Sequence, residues 1–222
     1  MIEAQEMEKK DLTYIPPGGI TTAPIVGDRV IRRGGPLARW FARSTMKLFG
    51  WKVEGDLPNS EKFIVIGAPH TSNWDWVLVI LAAYVLGVRI SWMAKHTLFK
   101  RPFGGIMRWL GGVSIDRRAK HGTVGDAINS FAKVDKLILC ITPEGTRHKV
   151  QEWKKGFYYI ADGANVPIVV CAFDYGKKSM RFGPVFKPSG DVDGDLPTIK
   201  SYYDGVIAKY PENSFVPLGN ED

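Results

Sequence analysis

The sequence predicts an α/β fold: a mostly parallel sheet with helices on both faces, preceded by an N-terminal amphipathic helical element. From residue 61 onward, short apolar runs alternate with stretches of helical pattern. These apolar runs are continuous, which is typical of parallel strands that are buried on both faces. The length of 222 residues fits one domain, or one domain with a small appendage.

Strands and helices are predicted in an almost regular alternation. The predicted strands are KFIVIGA (62–68), RISWMA (89–94), GGVSID (111–116), KLILCIT (136–142), VPIVVCAF (166–173) and SMRFGPVF (179–186). The predicted helices cover 75–87, about 103–110, 121–133, 155–164 and 197–209. In such sheets the chemistry lies beyond the carboxyl ends of the strands, so functional residues are expected at these ends.

Two regions precede the predicted sheet. Residues 1–28 are polar and rich in Pro and Gly, which predicts a flexible N-terminal arm. Residues 29–54 are predicted to be a basic amphipathic helix, in which Pro36 suits the first turn and Gly50 suits the end. Residues 55–222 form the predicted α/β domain.

The amphipathic helix carries basic and aromatic side chains on different faces. Arg39, Arg43 and Lys47 recur at every fourth position, while Trp40 and Phe41 lie on another face. A helix of this composition lies flat on an anionic bilayer, so these five residues are predicted membrane contacts. A helix packed on the main domain with a solvated basic edge is an alternative, and both descriptions can hold together.

The net charge of +7 and the pI of about 9.3 indicate an anionic partner, such as nucleic acid, a membrane surface or phosphorylated substrates. The N-terminus is acidic and polar, so no secretory signal is predicted. The longest apolar run, at 76–88, is shorter than the ~20 residues that a spanning helix needs. We therefore expect a cytoplasmic protein that contacts the inner face of the membrane peripherally.

The two cysteines predict neither a disulfide nor a metal site. Cys140 and Cys171 each lie in an apolar run, which favours buried free thiols. No metal-ligand spacing surrounds them, so we expect no metal.

The stretch APHTSNWDW (68–76) places His70 and Asp75 where a strand gives way to a helix. If the helix begins near Ser72 or Asn73, which are good N-cap residues, Asp75 lies in the first turn and its carboxylate can reach back to His70. Asp75 would then orient the imidazole as a base, as in a catalytic triad. An alternative stays open here: Asp75 only caps the helix, and His70 forms a local hydrogen bond.

Two further strands run directly into basic residues. One strand leads into Arg117, and another leads into the turn Glu144-Gly145-Thr146-Arg147. Gly145 permits a tight turn, Thr146 offers a hydroxyl, and Arg147 can form two hydrogen bonds to a phosphate. Together with the His-Asp pair, these strand ends predict a base beside a phosphate pocket.

These blocks resemble those of the glycerolipid acyltransferases typified by lysophosphatidic acid acyltransferase. The matching blocks, within roughly residues 35–190, are His70-Thr-Ser-Asn-Trp-Asp75, Gly112-Val-Ser-Ile-Asp-Arg117, Glu144-Gly-Thr-Arg147 and Val166-Pro-Ile-Val169. His148 stands where this family often has serine, and Val170 stands where it often has proline. These departures leave the identity of the acyl acceptor open.

The resemblance implies an O-acyltransferase in which His70 is the base and acyl-CoA or acyl carrier protein is the donor. It also implies that the blocks ending in Arg117 and Arg147 hold the phosphate of a lysophospholipid such as 1-acylglycerol-3-phosphate, and we expect Lys95 to assist. Glu144 either orients Arg147, which we favour, or contacts an acceptor hydroxyl. No cofactor is expected, because the acyl thioester is a co-substrate.

The oxyanion of the tetrahedral intermediate needs hydrogen-bond donors. Backbone N–H groups at the start of helix 75–87, or in the turn at 144–145, are both candidates.

Three alternatives remain at this point. A different lysolipid, such as lyso-ornithine lipid, could be the acceptor. The protein could bind the membrane peripherally without catalysis. A non-enzymatic nucleic-acid binder would explain the charge but leaves the His-Asp pair without a purpose, so we expect no nucleic-acid partner.

Overall fold

The computed structural model describes residues 26–55, 57–115 and 122–215, with the backbone alone described at 94–96, 98, 114 and 115. The strands are β1 (Lys52–Gly55), β2 (Lys62–Ala68), β3 (Ser91–Lys95), β4 (Gly112–Ile115), β5 (Leu137–Ile141), β6 (Ile168–Asp174) and β7 (Ser179–Phe186). They form a seven-stranded sheet in the order β1-β7-β6-β2-β5-β3-β4.

The sheet is mostly parallel, as predicted. The pairs β2·β5, β2·β6, β3·β5 and β3·β4 are all parallel. Only β6·β7 is antiparallel, and β1 runs parallel to β7 at the outer edge. The carboxyl ends of β2, β3, β4, β5 and β6 therefore share one edge, and the loops that follow them lie close together.

Helices cover both faces of this sheet. They are α1 (Pro36–Leu48), α2 (Asn73–Leu86), α3 (Gly104–Trp109), α4 (Gly122–Lys133), α5 (Gly156–Gly163) and α6 (Val192–Ser201), with 3₁₀ turns at His96–Phe99 and Pro211–Asn213. Buried residues of α4, α5 and α6 join one core cluster, and buried residues of α1 and α2 join the other. Each face of the sheet is thus shielded by its own set of helices, which confirms the predicted α/β class.

Strand β1 is not among the predicted elements. It pairs with β7 from Lys52↔Ser179 to Gly55↔Phe182, so the boundary placed between residues 54 and 55 falls inside a strand. The tetrapeptide KVEG has a single buried apolar residue, Val53, and therefore lacks the apolar run that marked the other strands.

The predicted helix over 197–209 is wrong in its bounds. Helix α6 begins at Val192, where the Asp191 carboxylate accepts the backbone N–H of Gly194 at 3.1 Å, and it ends at Ser201. An aspartate N-cap followed by acidic residues in the first turn sets the start of this helix. Pro197 therefore lies inside the helix and not in its first turn.

Helix α1 covers Pro36–Leu48, so it begins and ends where Pro36 and Gly50 indicate but is shorter than the predicted helical element at 29–54. Pro36 occupies its first turn, and Gly50 follows its end with a φ of +73°. Ala42 and Met46 are buried towards the core, whereas Trp40 and Phe41 are exposed. No helix in the described ranges is long and apolar enough to cross a membrane. Residues 1–25 of the predicted arm lie outside the described residues.

The basic residues of α1 differ in their surroundings. Arg43 and Lys47 are exposed, whereas Arg39 is half-buried and its guanidinium lies against Gly87 at the end of α2. The helix thus packs on the domain through one face and leaves its aromatic face in the open.

Candidate active site

The loop Pro69–Ser72 leaves β2 and ends at the N-cap of α2, as the sequence predicts. Ser72 is the N-cap residue, and its hydroxyl accepts the backbone N–H of Trp74 at 3.2 Å. Asp75, in the first turn, accepts the backbone N–H of Ser72 at 2.9 Å and thereby completes a capping box. The start of α2 therefore fixes the direction of the Asp75 carboxylate.

The same carboxylate holds His70. Asp75 Oδ2 lies 2.9 Å from Nδ1 of His70 and also accepts the backbone N–H of Thr71 at 3.0 Å. Asp75 is 0% exposed. One carboxylate thus caps the helix and also contacts the imidazole, which is the geometry that the orienting interpretation of this motif requires. When Nδ1 carries the proton, the second ring nitrogen, Nε2, is left as a base.

Glu144 supports the same loop from the turn that follows the neighbouring strand β5. Its Oε1 accepts the backbone N–H of His70 at 2.9 Å, while its Oε2 is buried and has no hydrogen-bond partner in the part of the chain that the structure describes. Burial raises the pKa of Glu144 to about 7, from an ordinary value of 4.5. Glu144 therefore positions His70, and the expectation that it pairs with Arg147 is wrong.

Arg147 contacts the helix that carries Asp75. Its guanidinium donates a hydrogen bond to Oδ1 of Asn73, the first residue of α2. Gly145 turns the chain with a φ of +64°, and the side chain of Lys154 lies over it. Asn73, Gly145, Thr146, Arg147 and Lys154 all line one cavity together with His70 and Asp75. We call Arg147 and Lys154, which line the cavity together with the His-Asp pair, the cationic rim.

This cavity has a volume of about 930 Å³ and extends away from the His-Asp pair into apolar surroundings. Helix α2 lines it with Trp76, Val79, Ala83 and Leu86, whose spacing places them on one helix face. Apolar residues of the sheet line it from the other side, among them Val65, Trp92, Ile138 and Cys140. Ala83 is ten residues beyond Asn73, or about 15 Å along the helix axis. A long aliphatic chain could lie in this space with its reacting end beside His70.

Several backbone N–H groups at or next to the candidate oxyanion donors are already in use. The N–H groups of Thr71 and Ser72 donate to Asp75, and that of Trp74 donates to Ser72. The N–H of Gly145 donates to the carbonyl of Thr142 at 3.1 Å. These four groups therefore hold the site together and are not free to receive a developing negative charge in this state.

Comparison with known proteins decides the family. A protein family with the description "Acyltransferase" matches residues 51–174, which are more than half of the 222 residues. The chain belongs to the acyltransferase family. The matched region contains the His-Asp pair and the Glu144–Arg147 turn.

Curated relatives of this acyltransferase-family chain carry the name 1-acyl-sn-glycerol-3-phosphate acyltransferase. The Haemophilus influenzae protein is 33% identical over 159 residues, which are 66% of this chain and 64% of that protein. The Escherichia coli protein is 33% identical over 135 residues, covering 56% and 54% of the two chains. The human beta form is 31% identical over 163 residues, covering 69% and 57%. The chain thus spans between about half and two thirds of the length of these relatives.

The fold resembles a solved structure of a similarly named protein. The 1-acyl-sn-glycerophosphate acyltransferase of Thermotoga maritima superposes with a TM-score of 0.56, over 75% of each chain at 22% identity. This likeness agrees with the α/β sheet described above.

Two predicted phosphate contacts of this acyltransferase-family chain are not placed. Arg117 lies outside the described residues, and Lys95 ends β3 at the carboxyl edge with only its backbone described.

Within the described ranges, no group of three His, Cys, Asp or Glu residues could hold a metal ion. Cys140 and Cys171 are free thiols, and burial raises the pKa of Cys140 to about 12.

Three residues of the site were absent from the sequence-based prediction. Asn73 and Lys154 line the cavity beside Arg147, and Tyr175 donates a hydrogen bond to Asp75 from the far side. Tyr175 is the first residue after β6, one residue beyond the region that matches the family. Its position directly after a buried strand could have marked Tyr175 as a candidate site residue. The neighbouring sequence does not show, however, that β6 lies next to β2.

Proposed function

We propose that this protein is an O-acyltransferase that moves a fatty acyl group from an acyl thioester to the hydroxyl of a lysophospholipid such as 1-acylglycerol-3-phosphate. One observation carries the proposal: the His70–Asp75 pair opens onto a cavity that is cationic at its rim and apolar along its length. The apolar part suits a fatty acyl chain and the cationic rim suits a phosphate. The names of the curated relatives support the same activity.

His70 acts as the general base in this reaction. Its free Nε2 removes the proton from the acceptor hydroxyl while the hydroxyl oxygen attacks the thioester carbonyl. The tetrahedral intermediate then collapses, the carbon–sulfur bond breaks, and the proton on His70 passes to the leaving thiolate. Asp75 stabilises the imidazolium between these steps, and base catalysis of this kind typically contributes ~10²–10⁴-fold.

The acceptor phosphate binds at the rim. Arg147 has a planar guanidinium that matches two phosphate oxygens, and its bond to Asn73 holds it beside His70. Lys154 adds a second positive charge over Gly145. Acyl-CoA and acyl carrier protein are both suitable donors, because both present the same thioester.

The protein also binds an anionic membrane surface on its cytoplasmic side. Trp40 of α1 is 64% exposed and Trp109 of α3 is 65% exposed. Phe41 and Trp109 line one groove between α1, α2 and α3, and the Arg33 guanidinium lies 4.5 Å from the Trp109 ring centroid. Phe41 and Trp109 therefore belong to one surface, and Trp40 is exposed on the same helix as Phe41.

The sequence segments that contribute to this surface are basic. Residues 29–53 contain seven Lys or Arg residues, residues 76–115 contain five, and neither segment contains Asp or Glu. Exposed aromatic residues among basic ones are the composition that binds at the interface of an anionic bilayer.

The test is a thiol-release assay on the wild type and on His70→Ala. The wild type should release thiol from a long-chain acyl thioester when 1-acylglycerol-3-phosphate is present, and His70→Ala should lose about 10²-fold or more of that rate while its circular dichroism and thermal midpoint stay unchanged. Lyso-ornithine lipid and lysophosphatidylcholine complete the acceptor panel. Appreciable activity in a well-folded His70→Ala protein would remove His70 from the mechanism.

A further inference from the structure

Tyr175 contacts the catalytic carboxylate from the side opposite to His70. Strand β6 pairs in parallel with β2, with Ala172 opposite Ala68, so the residues that follow these two strands emerge next to each other. The phenol of Tyr175 donates a hydrogen bond of 2.6 Å to Oδ1 of Asp75. His70 lies on Oδ2, the other oxygen of the same carboxylate.

The position of Tyr175 is determined by contacts around it. Its backbone N–H donates to the carbonyl of Ile207 at 2.8 Å. Its ring meets the ring of Trp51 edge-on, at 4.8 Å between centroids and 86° between planes. The ammonium of Lys209 lies 5.9 Å from the Tyr175 ring centroid. The phenol is thus held by contacts that do not involve Asp75 itself.

Residues 207–210, which support Tyr175, also contact the loop at 69–72 that carries His70. The backbone N–H of Tyr210 donates to the hydroxyl of Thr71 at 3.2 Å. The Lys209 ammonium lies 5.0 Å from the Trp74 ring centroid. Segment 207–210 therefore contacts both Tyr175 and the start of α2, and it fixes one relative to the other.

The Asp75 carboxylate needs the Tyr175 hydroxyl. An ionised carboxylate only accepts hydrogen bonds, and a buried anionic oxygen without a donor is costly. Three donors already serve Oδ2, namely His70 Nδ1 and the N–H groups of Thr71 and Ser72. Tyr175 serves Oδ1. Burial, and then the bond to Asp75, raise the pKa of Tyr175, so the phenol remains a donor at neutral pH.

We infer that Tyr175 is a positioning residue for the His70–Asp75 pair. Its hydroxyl fixes the rotamer of Asp75 and withdraws negative charge from the oxygen that faces His70. Both effects determine how His70 is oriented and how tightly it holds the proton that it takes from the acceptor. This role rests on the proposed function of His70 as a base.

Tyr175→Phe removes the hydroxyl and keeps the ring. We expect kcat to fall about tenfold while KM for the acceptor stays unchanged, because Tyr175 touches Asp75 and not the substrate. The acidic limb of the pH–rate profile should move to higher pH, since a carboxylate that loses a donor stabilises the protonated imidazole more strongly. In the described part of the chain, Lys209, Tyr210, Glu144 and the adjacent Asp174 are titratable groups near this contact, and the substitution leaves them in place.

Tyr158→Phe is a matched control. Its hydroxyl donates to the Asp195 carboxylate at 2.7 Å and accepts the backbone N–H of Gly190, so Tyr158→Phe loses the same type of phenol–carboxylate bond at a carboxylate other than Asp75. This variant should keep kcat and the pH profile within about twofold of the wild type, which separates a positioning effect from a general loss of stability.

A second readout does not depend on activity. The Hε1 resonance of His70, assigned by its absence in His70→Ala, should titrate at higher pH in Tyr175→Phe than in the wild type. If Tyr175→Phe does not fold, a fluorinated tyrosine at position 175, a stronger donor of similar size, should move the midpoint to lower pH. A midpoint that stays the same in the folded variants overturns the inference. A wild type without acyl transfer overturns the proposed function instead, and the titration still tests the contact.

Discussion

The Glu144 carboxylate accepts the backbone N–H of His70 at 2.9 Å, although 74 positions separate the two residues. Glu144 is only 4% exposed, and burial raises its pKa to about 7. The folded protein therefore keeps a proton on Glu144 in a range of pH where the unfolded chain has released it. Burial of this carboxyl group therefore makes the folding stability dependent on pH, whereas the hydrogen bond from His70 lowers the pKa of Glu144 and opposes the effect.

We predict that Glu144→Gln stabilises the protein at pH 8. In the wild type the contribution of Glu144 is most favourable below pH 4.5 and is lost as the pH rises to about 7, because ionisation is harder in the folded state. The full difference is on the order of 3 kcal/mol, at about 1.4 kcal/mol per pKa unit. Glutamine does not ionise, and its carbonyl oxygen can still accept the His70 N–H.

Urea unfolding at pH 5 and pH 8 checks this prediction. The stability difference between Glu144→Gln and the wild type should be larger at pH 8 than at pH 5. Glu152→Gln, which alters an exposed carboxylate, should follow the wild type at both values. Parallel pH dependence of Glu144→Gln and the wild type would show that Glu144 titrates normally.

Arg147→Ala should weaken binding of a phosphorylated acceptor. We expect KM for 1-acylglycerol-3-phosphate to rise about tenfold to a hundredfold, because charge-assisted hydrogen bonds are lost. KM for the acyl donor and kcat should change little. Initial rates over both substrate concentrations measure this, with Lys187→Ala as the control for loss of an exposed charge. A change in kcat alone would contradict ground-state phosphate binding.

Ala83→Phe should shorten the acyl chain that the cavity accepts. Ala83 lines the cavity about 15 Å along α2 from the His-Asp end, so a larger side chain blocks the far part only. KM for a long-chain donor should rise about tenfold, while a short-chain donor reacts as in the wild type. The short donor is the internal control for folding. Equal losses with both donors would mean that the acyl chain does not pass Ala83.

Replacing either exposed tryptophan by glutamate should weaken membrane binding. Trp40→Glu and Trp109→Glu each replace an exposed aromatic side chain, on α1 and on α3, by a negative charge. Co-sedimentation with phosphatidylglycerol vesicles should fall for both variants, and added salt should lower binding of the wild type. Val134→Glu, an exposed apolar residue after α4, is the control. If Trp40→Glu alone loses binding, α3 is not part of the membrane surface.

The local parts of the site could be predicted from the sequence. A Ser72 N-cap, an acidic residue in the first turn and the short loop before them place Asp75 next to His70 without help from distant residues. The buried strands were recognisable for a similar reason, because an apolar run between turns is a local signal. Strand β1 has no apolar run, so the sequence does not predict it. The start of helix α6 depends on the Asp191 N-cap, and the predicted bounds did not take this cap into account.

The amino-acid sequence alone therefore determined the His-Asp pair, the α/β class and the turn that carries Arg147, since each depends on residues a few positions apart. Only the tertiary structure decided that Glu144 holds the His70 loop, that Arg147 bonds to Asn73 and that Tyr175 serves Asp75. These partners lie 74, 74 and 100 positions apart, and they meet because β6, β2 and β5 are neighbours in the sheet. Strand order follows from the packing of the whole domain, which no short stretch of sequence contains.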